Sequence, residues 1–369
     1  MKKILAVILS IALLCTLFAG CGGKTNDAPS NNAPSNNSSS TPTTPSGGAS
    51  DGLDFGEYTP ENPLVLKFGH YGTGDLHPSN ILAASLKEKL ETRSNGAIKL
   101  EVYGDGILGF DVALFESVMS GTVDFAPNNP FMMADYQPTL RVLDLHYMFD
   151  SVDQVWAYMD SDVYDTINAS CEDLNVAILG QQFLGFRSTG SRGVAIKSLE
   201  DIAGQRLRMS TSEVFVELFE RYGAVPISMA PDEFVPALQQ GIVDGTDLPA
   251  SIQWQSNYHQ YYEYMVCTYH WAQFNMLNTN LEKLNGYPED VRNLIITAAE
   301  EACQETSKVC YDNDIEGLKN LEADGVTVIY NDEIDMSGFR KIADEYAVEW
   351  VAAHPECKDI YDAIIALRK

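Results

Sequence analysis

Arg206-Leu-Arg-Met-Ser-Thr-Ser-Glu-Val-Phe-Val-Glu-Leu-Phe-Glu-Arg-Tyr-Gly-Ala-Val-Pro-Ile227 holds one complete unit of the fold. Arg206 to Met209 reads as a strand, Ser212 to Tyr222 as a helix and Ala224 to Ile227 as a second strand. Pro231 to Gln240 then reads as a helix ending at Gly241, and Ile242-Val243 leads into Asp244-Gly245. Upstream the same order occurs once before. Leu64 to Gly69 is a buried strand, and a helix from Asn80 to about Thr92 carries Leu82, Leu86 and Leu90. Ala97 to Tyr103 alternates as a strand, Asp111 to Ser120 is a short helix stopped by Gly121, and Val123 to Ala126 is a third strand. A further strand covers Ala177 to Gly180. Strands and helices in this alternation predict open, mostly parallel α/β sheets.

The two runs share a short echo, Gly121-Thr-Val-Asp124 and Gly241-Ile-Val-Asp244, each after a predicted helix. Each Gly suits a helix C-terminus and each Val a strand start. If the echo is more than chance, two similar lobes aim strand carboxyl ends at one place, where ligands bind in open α/β sheets. Pro288 opens a long helix, with Glu289 and Asp290 in its first turn, running to about Glu322. At 1.5 Å per residue it spans roughly 50 Å, enough to serve both lobes. A strand at Val326–Tyr330 and helices near Ser337–Ala352 and Lys358–Leu367 finish the chain.

The amino-terminal end is a separate region. Met1-Lys-Lys3 precedes an apolar run from Ile4 to Phe18 and then Ala19-Gly-Cys21, the layout of a signal peptide over residues 1–20. The run is too short to span a bilayer comfortably. The junction resembles a bacterial lipoprotein signal, which implies acylation of Cys21, although Phe18 stands where that pattern prefers Leu. Ordinary secretion with Cys21 as an incidental thiol is the other reading. Residues 21–58 are dominated by Asn, Ser, Pro, Thr and Gly, and such a composition predicts a disordered tether. The roughly 310 residues that remain suit two lobes better than one core.

The 369-residue chain carries 52 acidic against 24 basic residues, a net charge of −28. Nucleic acid and a bare anionic membrane are therefore poor partners, and an anionic ligand needs local arginines. Five cysteines lie beyond Cys21, namely Cys171, Cys267, Cys303, Cys310 and Cys357. Their odd count and irregular spacing argue against a disulfide framework, so they read as packed thiols.

Chemistry-bearing motifs are sparse. Gly104-Asp-Gly-Ile-Leu-Gly109 matches G-x-G-x-x-G, but it follows the second predicted strand, and Asp124 begins the next strand rather than ending it. Neither a nucleotide cofactor nor any other is expected. The six histidines show no H-E-x-x-H spacing and no Cys-x-x-Cys occurs, so no metal site is predicted. Thr189 stands where a G-x-S-x-G elbow around Ser191 needs its first Gly.

Several stretches in order resemble the DctP-type solute-binding receptors of TRAP transporters. They are Ile107-Leu-Gly109, Gly121 to Phe125, Gly185-Phe-Arg187, Ile196 to Arg208, Tyr222 to Pro226 and Leu238 to Gly245. The likeness runs from about Leu64 to Glu300 and is most specific between Gly185 and Pro249. It implies a two-lobed periplasmic-binding-protein-like α/β fold: two open mixed sheets with flanking helices, hinge segments and one long helix spanning both lobes. The lobes are expected at 59–184 plus 274–313 and at 185–273 plus 314–369. The resemblance also implies a non-enzymatic, extracytoplasmic receptor, held to the membrane by its lipid anchor. Such a receptor would bind a small organic acid by hinge closure and deliver it to membrane permease subunits. A sensory protein of the same fold, a secreted hydrolase and an ABC-type receptor are the competing readings.

In that family Arg208 is the expected carboxylate clamp. Its guanidinium offers parallel donors matched to a carboxylate, which Lys does not reproduce. A structural ion pair with one of the many acids is the alternative for Arg208. Arg187 falls where many members place a second cationic contact, with a hinge ion pair as its alternative. Tyr71 follows the first strand and Asn129 the third, at cleft-facing ends, with a turn role as the alternative for each. Relatives often carry Asn immediately before the proline of Asp244-Gly-Thr-Asp-Leu-Pro249; here Leu248 removes that contact, and Asp247 becomes a candidate acceptor. Asn275 is a further polar candidate, and Trp254 and Phe110 are candidate covers for an apolar or sugar-ring face.

Overall fold

The computed structural model describes residues 53–368; the signal peptide, Cys21 and nearly all of the tether expected from the sequence lie outside them. In the first half, β1 (Leu64–Gly69), α1 (Pro78–Arg93), β2 (Ile98–Tyr103), α2 (Asp111–Met119), β3 (Phe125–Asn128) and α3 (Pro130–Met133) succeed one another. Helices α4 (Val152–Met159) and α5 (Asp162–Ala169) lead into a long strand, β4 (Val176–Ser191). The second half repeats the order with β5 (Arg206–Met209), α6 (Glu213–Arg221), β6 (Val225–Ser228), α7 (Pro231–Gln239), β7 (Gly245–Leu248) and α8 (Ala250–Gln255). A second long strand, β8 (Tyr264–Asn280), and α9 (Leu281–Gly286) follow. The chain ends with α10 (Glu289–Ala323), β9 (Thr327–Ile329), α11 (Ser337–Ala353) and α12 (Lys358–Ile365).

The strands hydrogen-bond in the order β2-β1-β3-β8-β4-β7-β5-β6, with β9 beside β8. The two expected sheets are thus joined through β4 and β8, which pair antiparallel along most of their length and belong to both. On one side lie the parallel strands β1, β2 and β3, and on the other the parallel strands β5, β6 and β7. β3 pairs antiparallel with β8, and β7 pairs antiparallel with β4. The arrangement is a repeat: β2-β1-β3 against one long strand matches β6-β5-β7 against the other.

The echo read in the sequence marks this repeat. Gly121 and Gly241 both adopt a positive φ, 72° and 67°, where helices α2 and α7 stop. Asp124 then accepts a hydrogen bond from the Lys67 backbone N–H at 2.8 Å, and Asp244 accepts from the Arg206 backbone N–H at 3.1 Å. Each aspartate ties the start of its strand to the neighbouring parallel strand. Strand β3 begins two residues later than predicted because Gly121 to Asp124 forms this turn.

Apolar residues at helical spacing decide the layers. Leu82, Leu86 and Leu90 of α1 pack with Leu66, Phe68, Ile98 and Leu100 of the sheet, and with Val291, Ile295 and Ala298 of α10. Helix α10 is 35 residues long, about 52 Å at 1.5 Å per residue, as the run from Pro288 predicted. It lies close against β4 at two glycines. A Cβ on Gly180 would stand 3.1 Å from Cys303 Sγ, and one on Gly185 only 2.5 Å from Asp314 Oδ2. Gly185 also has φ 116° and sits at a register shift in the β4–β8 ladder. The five described cysteines are free and buried, in line with packed thiols.

Candidate functional site

A cavity of about 330 Å³ lies where the strand ends of both halves meet. Tyr71 to Thr73 follow β1, Asn129 follows β3, Ser210 and Thr211 follow β5, and Met229 follows β6. Leu248 closes β7. These are carboxyl ends of parallel strands, the location that open α/β sheets reserve for ligands.

Arg208 lies in β5, where Leu207 and Met209 are fully buried in the core and the arginine takes the intervening position. It lines the cavity at 4 % exposure. Its Nε and Nη2 donate to the Met229 carbonyl at 3.2 and 2.8 Å, and its guanidinium lies 5.8 Å from the Phe234 ring centre. Among the described residues no carboxylate forms an ion pair with it and no hydrogen bond uses its Nη1. Burial pulls its pKa below the ordinary arginine value, partly countered by Asp247. A buried guanidinium without a counter-ion is costly unless an anion arrives.

Arg187, on β4, also lines the cavity but has a partner. Its Nη1 donates to Asp247 Oδ2 at 2.9 Å and to Ser210 Oγ at 3.2 Å. Its guanidinium lies between Phe215 and Trp271, with ring centres 5.2 and 4.6 Å away. Asp247, the expected ligand acceptor, is instead fully buried behind Arg187 and does not line the cavity. Successive strand residues face opposite sides, so Leu248 takes the cavity face and Asp247 the internal one. Burial pushes the Asp247 carboxyl up, but Arg187 and His270 together hold it below the usual carboxylate range.

From Arg187 a directed chain of amides runs along one wall. Arg187 Nε donates to Gln273 Oε1 (3.0 Å), Gln273 Nε2 to Asn129 Oδ1 (3.1 Å), and Asn129 Nδ2 to Asn275 Oδ1 (2.8 Å). Asn275 Nδ2 then donates to Gln182 Oε1 at 3.2 Å. Because the guanidinium only donates, it fixes the orientation of every amide after it. Asn129, Gln273 and Asn275 all line the cavity, each keeping a second N–H and a second lone pair.

Tyr71 and Phe110 stack on one another at 6.1 Å beside the opening, and Phe110 is 46 % exposed at the rim. Trp254, expected over the ligand, lies away from this cavity. It lines a separate shallow recess, and its Nε1 donates to Asp324 Oδ2 at 2.9 Å. His77 also lines the cavity; its Nδ1 accepts from the Ser79 backbone N–H at 3.2 Å. Burial pushes its imidazole down to about 4, so it is neutral at ordinary pH. The G-x-G-x-x-G loop contributes Asp105 to the rim. Among the described residues no cluster of three or more His, Cys, Asp or Glu is arranged to hold a metal ion.

Sequence reasoning missed Gln273, Phe131, Met132 and Phe234. Gln273 stands two residues before Asn275, the spacing that puts both on one face of a strand, and recognition of β8 as a strand would have revealed it.

A two-lobed α/β receptor with ligand-sized space between its strand ends is the class of protein that this geometry defines. Residues 68–353 match the bacterial extracellular solute-binding proteins, family 7 (DctP), and the chain belongs to that family. It is 24 % identical to the 2,3-diketo-L-gulonate-binding periplasmic protein of Escherichia coli, over 72 % of this chain and 80 % of that one. Its fold is similar to a TRAP periplasmic solute-binding protein from a Sulfitobacter species with bound β-D-galacturonate. There the TM-score is 0.77 at 22 % identity, covering 82 % of this chain and 99 % of that one. A TRAP solute-binding protein from Shewanella oneidensis with bound succinate gives a TM-score of 0.76 at 20 % identity, covering 83 % and 100 %.

Proposed function

We propose that this receptor binds a small organic carboxylate in the cavity, closes its lobes over it and presents it to the membrane subunits of a TRAP transporter. One observation carries the reading: Arg208 is buried at a ligand-sized cavity, and among the described residues no carboxylate is paired to it. The carboxylate supplies the missing counter-charge and takes Nη1, with Arg187 and the amide wall beside it. Bound sugar acids and succinate in relatives of the same fold support the same chemistry. The chain is read as a carrier, in keeping with its membership of a solute-binding family.

The lobes divide at 59–184 plus 274–313 and 185–273 plus 314–369, with Gly185, at a register shift of β4, on the boundary. Closure expels water and strengthens each polar contact, and ligand drives it only by preferring the closed state. Acylation at Cys21 anchors the receptor outside the cytoplasm, and the polar segment behind it is the tether.

A thermal-shift screen of the mature chain against organic acids, neutral sugars and amines tests the function. Saturating carboxylate should raise the melting temperature by mass action. Stabilisation by sugars or amines alone, with every acid inert, would remove the reading.

A further inference from the structure

We infer that the ligand is a singly charged carboxylate with a largely hydrocarbon body and one polar substituent beside the carboxylate. This rests on the carboxylate reading above and goes beyond it to the ligand class.

The charges at the cavity set the first half of the inference. Among the described residues, four ionisable side chains other than tyrosine line it: Arg208, Arg187, His77 and Asp105. The charge of Arg187 is offset by Asp247 at 2.9 Å. His77 is held neutral by burial and accepts a backbone hydrogen bond. Asp105 is an exposed acid at the rim and repels a second anionic group. Among the described lining residues, only Arg208 is a cation with no anionic partner. A second carboxylate would enter with no counter-charge and would meet, at longer range, a chain of net charge −28.

The walls set the second half. Phe131 and Met132 stand on one side, and Met229, Phe234, Leu248 and Ile252 on the other. A polyhydroxylated acid would bury several hydroxyls against these side chains without partners, which is unfavourable. Hydroxyls of Tyr71, Thr73, Ser210, Thr211, Ser256 and Tyr258 also line the cavity, but the amides form one continuous wall whose first member, Gln273, is hydrogen-bonded to Arg187. A hydroxyl or keto oxygen close to the carboxylate reaches this wall. The cavity lies near the lower end of the ~300–1,000 Å³ range of small-molecule sites, so the body is short.

Isothermal titration of the mature chain with 4-methyl-2-oxopentanoate, phenyllactate, D-glucuronate and succinate tests this. One of the first two should bind at least tenfold more tightly than either of the last two. Leu248→Asn should narrow that gap for glucuronate, because it adds an amide to an apolar wall. Tightest binding by glucuronate or succinate, lost in Arg208→Ala, would overturn the inference and leave the carboxylate reading standing. Failure of all four acids, with stabilisation by a neutral sugar or an amine, would remove that reading and the inference together.

Discussion

Arg187 places Nη1 2.9 Å from Oδ2 of Asp247, with the two side chains 1 % and 0 % exposed. The pair makes one of the two cavity arginines electrically silent while keeping it as a donor. Removing one member of such a buried pair is expected to cost about 3–5 kcal/mol, because the other charge stays buried alone. Asp247→Asn should therefore lower the midpoint of denaturant unfolding. In the folded fraction it should also improve the affinity for succinate relative to a monocarboxylate, since a second cation is released. Unchanged stability would show that the pair carries no such role.

Arg208 is the converse case, a buried cation held by the Met229 carbonyl and the Phe234 ring, with no carboxylate among the described residues paired to it. Arg208→Ala should weaken carboxylate binding by about 2–5 kcal/mol, roughly 30-fold to several thousand-fold, measured by titration calorimetry. Arg208→Lys should recover only part of the loss, because an ammonium cannot reproduce the planar fork. Full affinity in the lysine variant would mean that charge alone matters.

Two buried acids make stability depend on pH in the direction opposite to Asp247. Burial pushes Asp144 and Asp314 up to about 7, against an ordinary value of 3.8. Between those values the folded chain holds protons that the unfolded chain has released. Stability therefore falls as pH rises from about 4 to 7, by ~1.4 kcal/mol per pH unit and group. Asp314→Asn should flatten this decline by one group's share in urea melts taken across the window. Asp247, held low, contributes stability above pH 3.8 that is lost only as pH falls further.

Gly185→Ala should lower stability by about 1–3 kcal/mol, because the added Cβ meets Asp314 at 2.5 Å and the backbone sits at φ 116°. Gly193→Ala provides the control: φ is 73° but nothing lies within 4 Å of the added atom. The first substitution should therefore cost more than the second in paired thermal melts.

Several short strands and their helices were legible in the sequence. Arg206–Met209 and Leu64–Gly69 match their predicted bounds, and α6 and α7 lie within a residue of theirs. The two long strands were not. In β8, Thr268, His270, Gln273, Asn275, Asn278, Thr279 and Asn280 are all buried, so polar residues interrupt any apolar run. In β4 the predicted strand stopped at Gly180, whereas the strand runs on through Gly185 to Ser191, and both glycines admit α10. At the site, Arg208, Arg187, Asn129, Asn275, Tyr71 and Phe110 come together around one cavity. Trp254 and Asp247 do not, because which side of a short strand or helix meets the ligand depends on partners distant in sequence.

Strand β8 has a further consequence for the making of this protein. Between β3 and β4 the early part of the sheet keeps an empty lane until residues 276–280 fill it. A chain emerging from the ribosome in order cannot complete even its first lobe until three-quarters of it has been synthesised. Such delayed completion favours crossing a membrane while still unfolded, and places the decisive act of assembly on the far side.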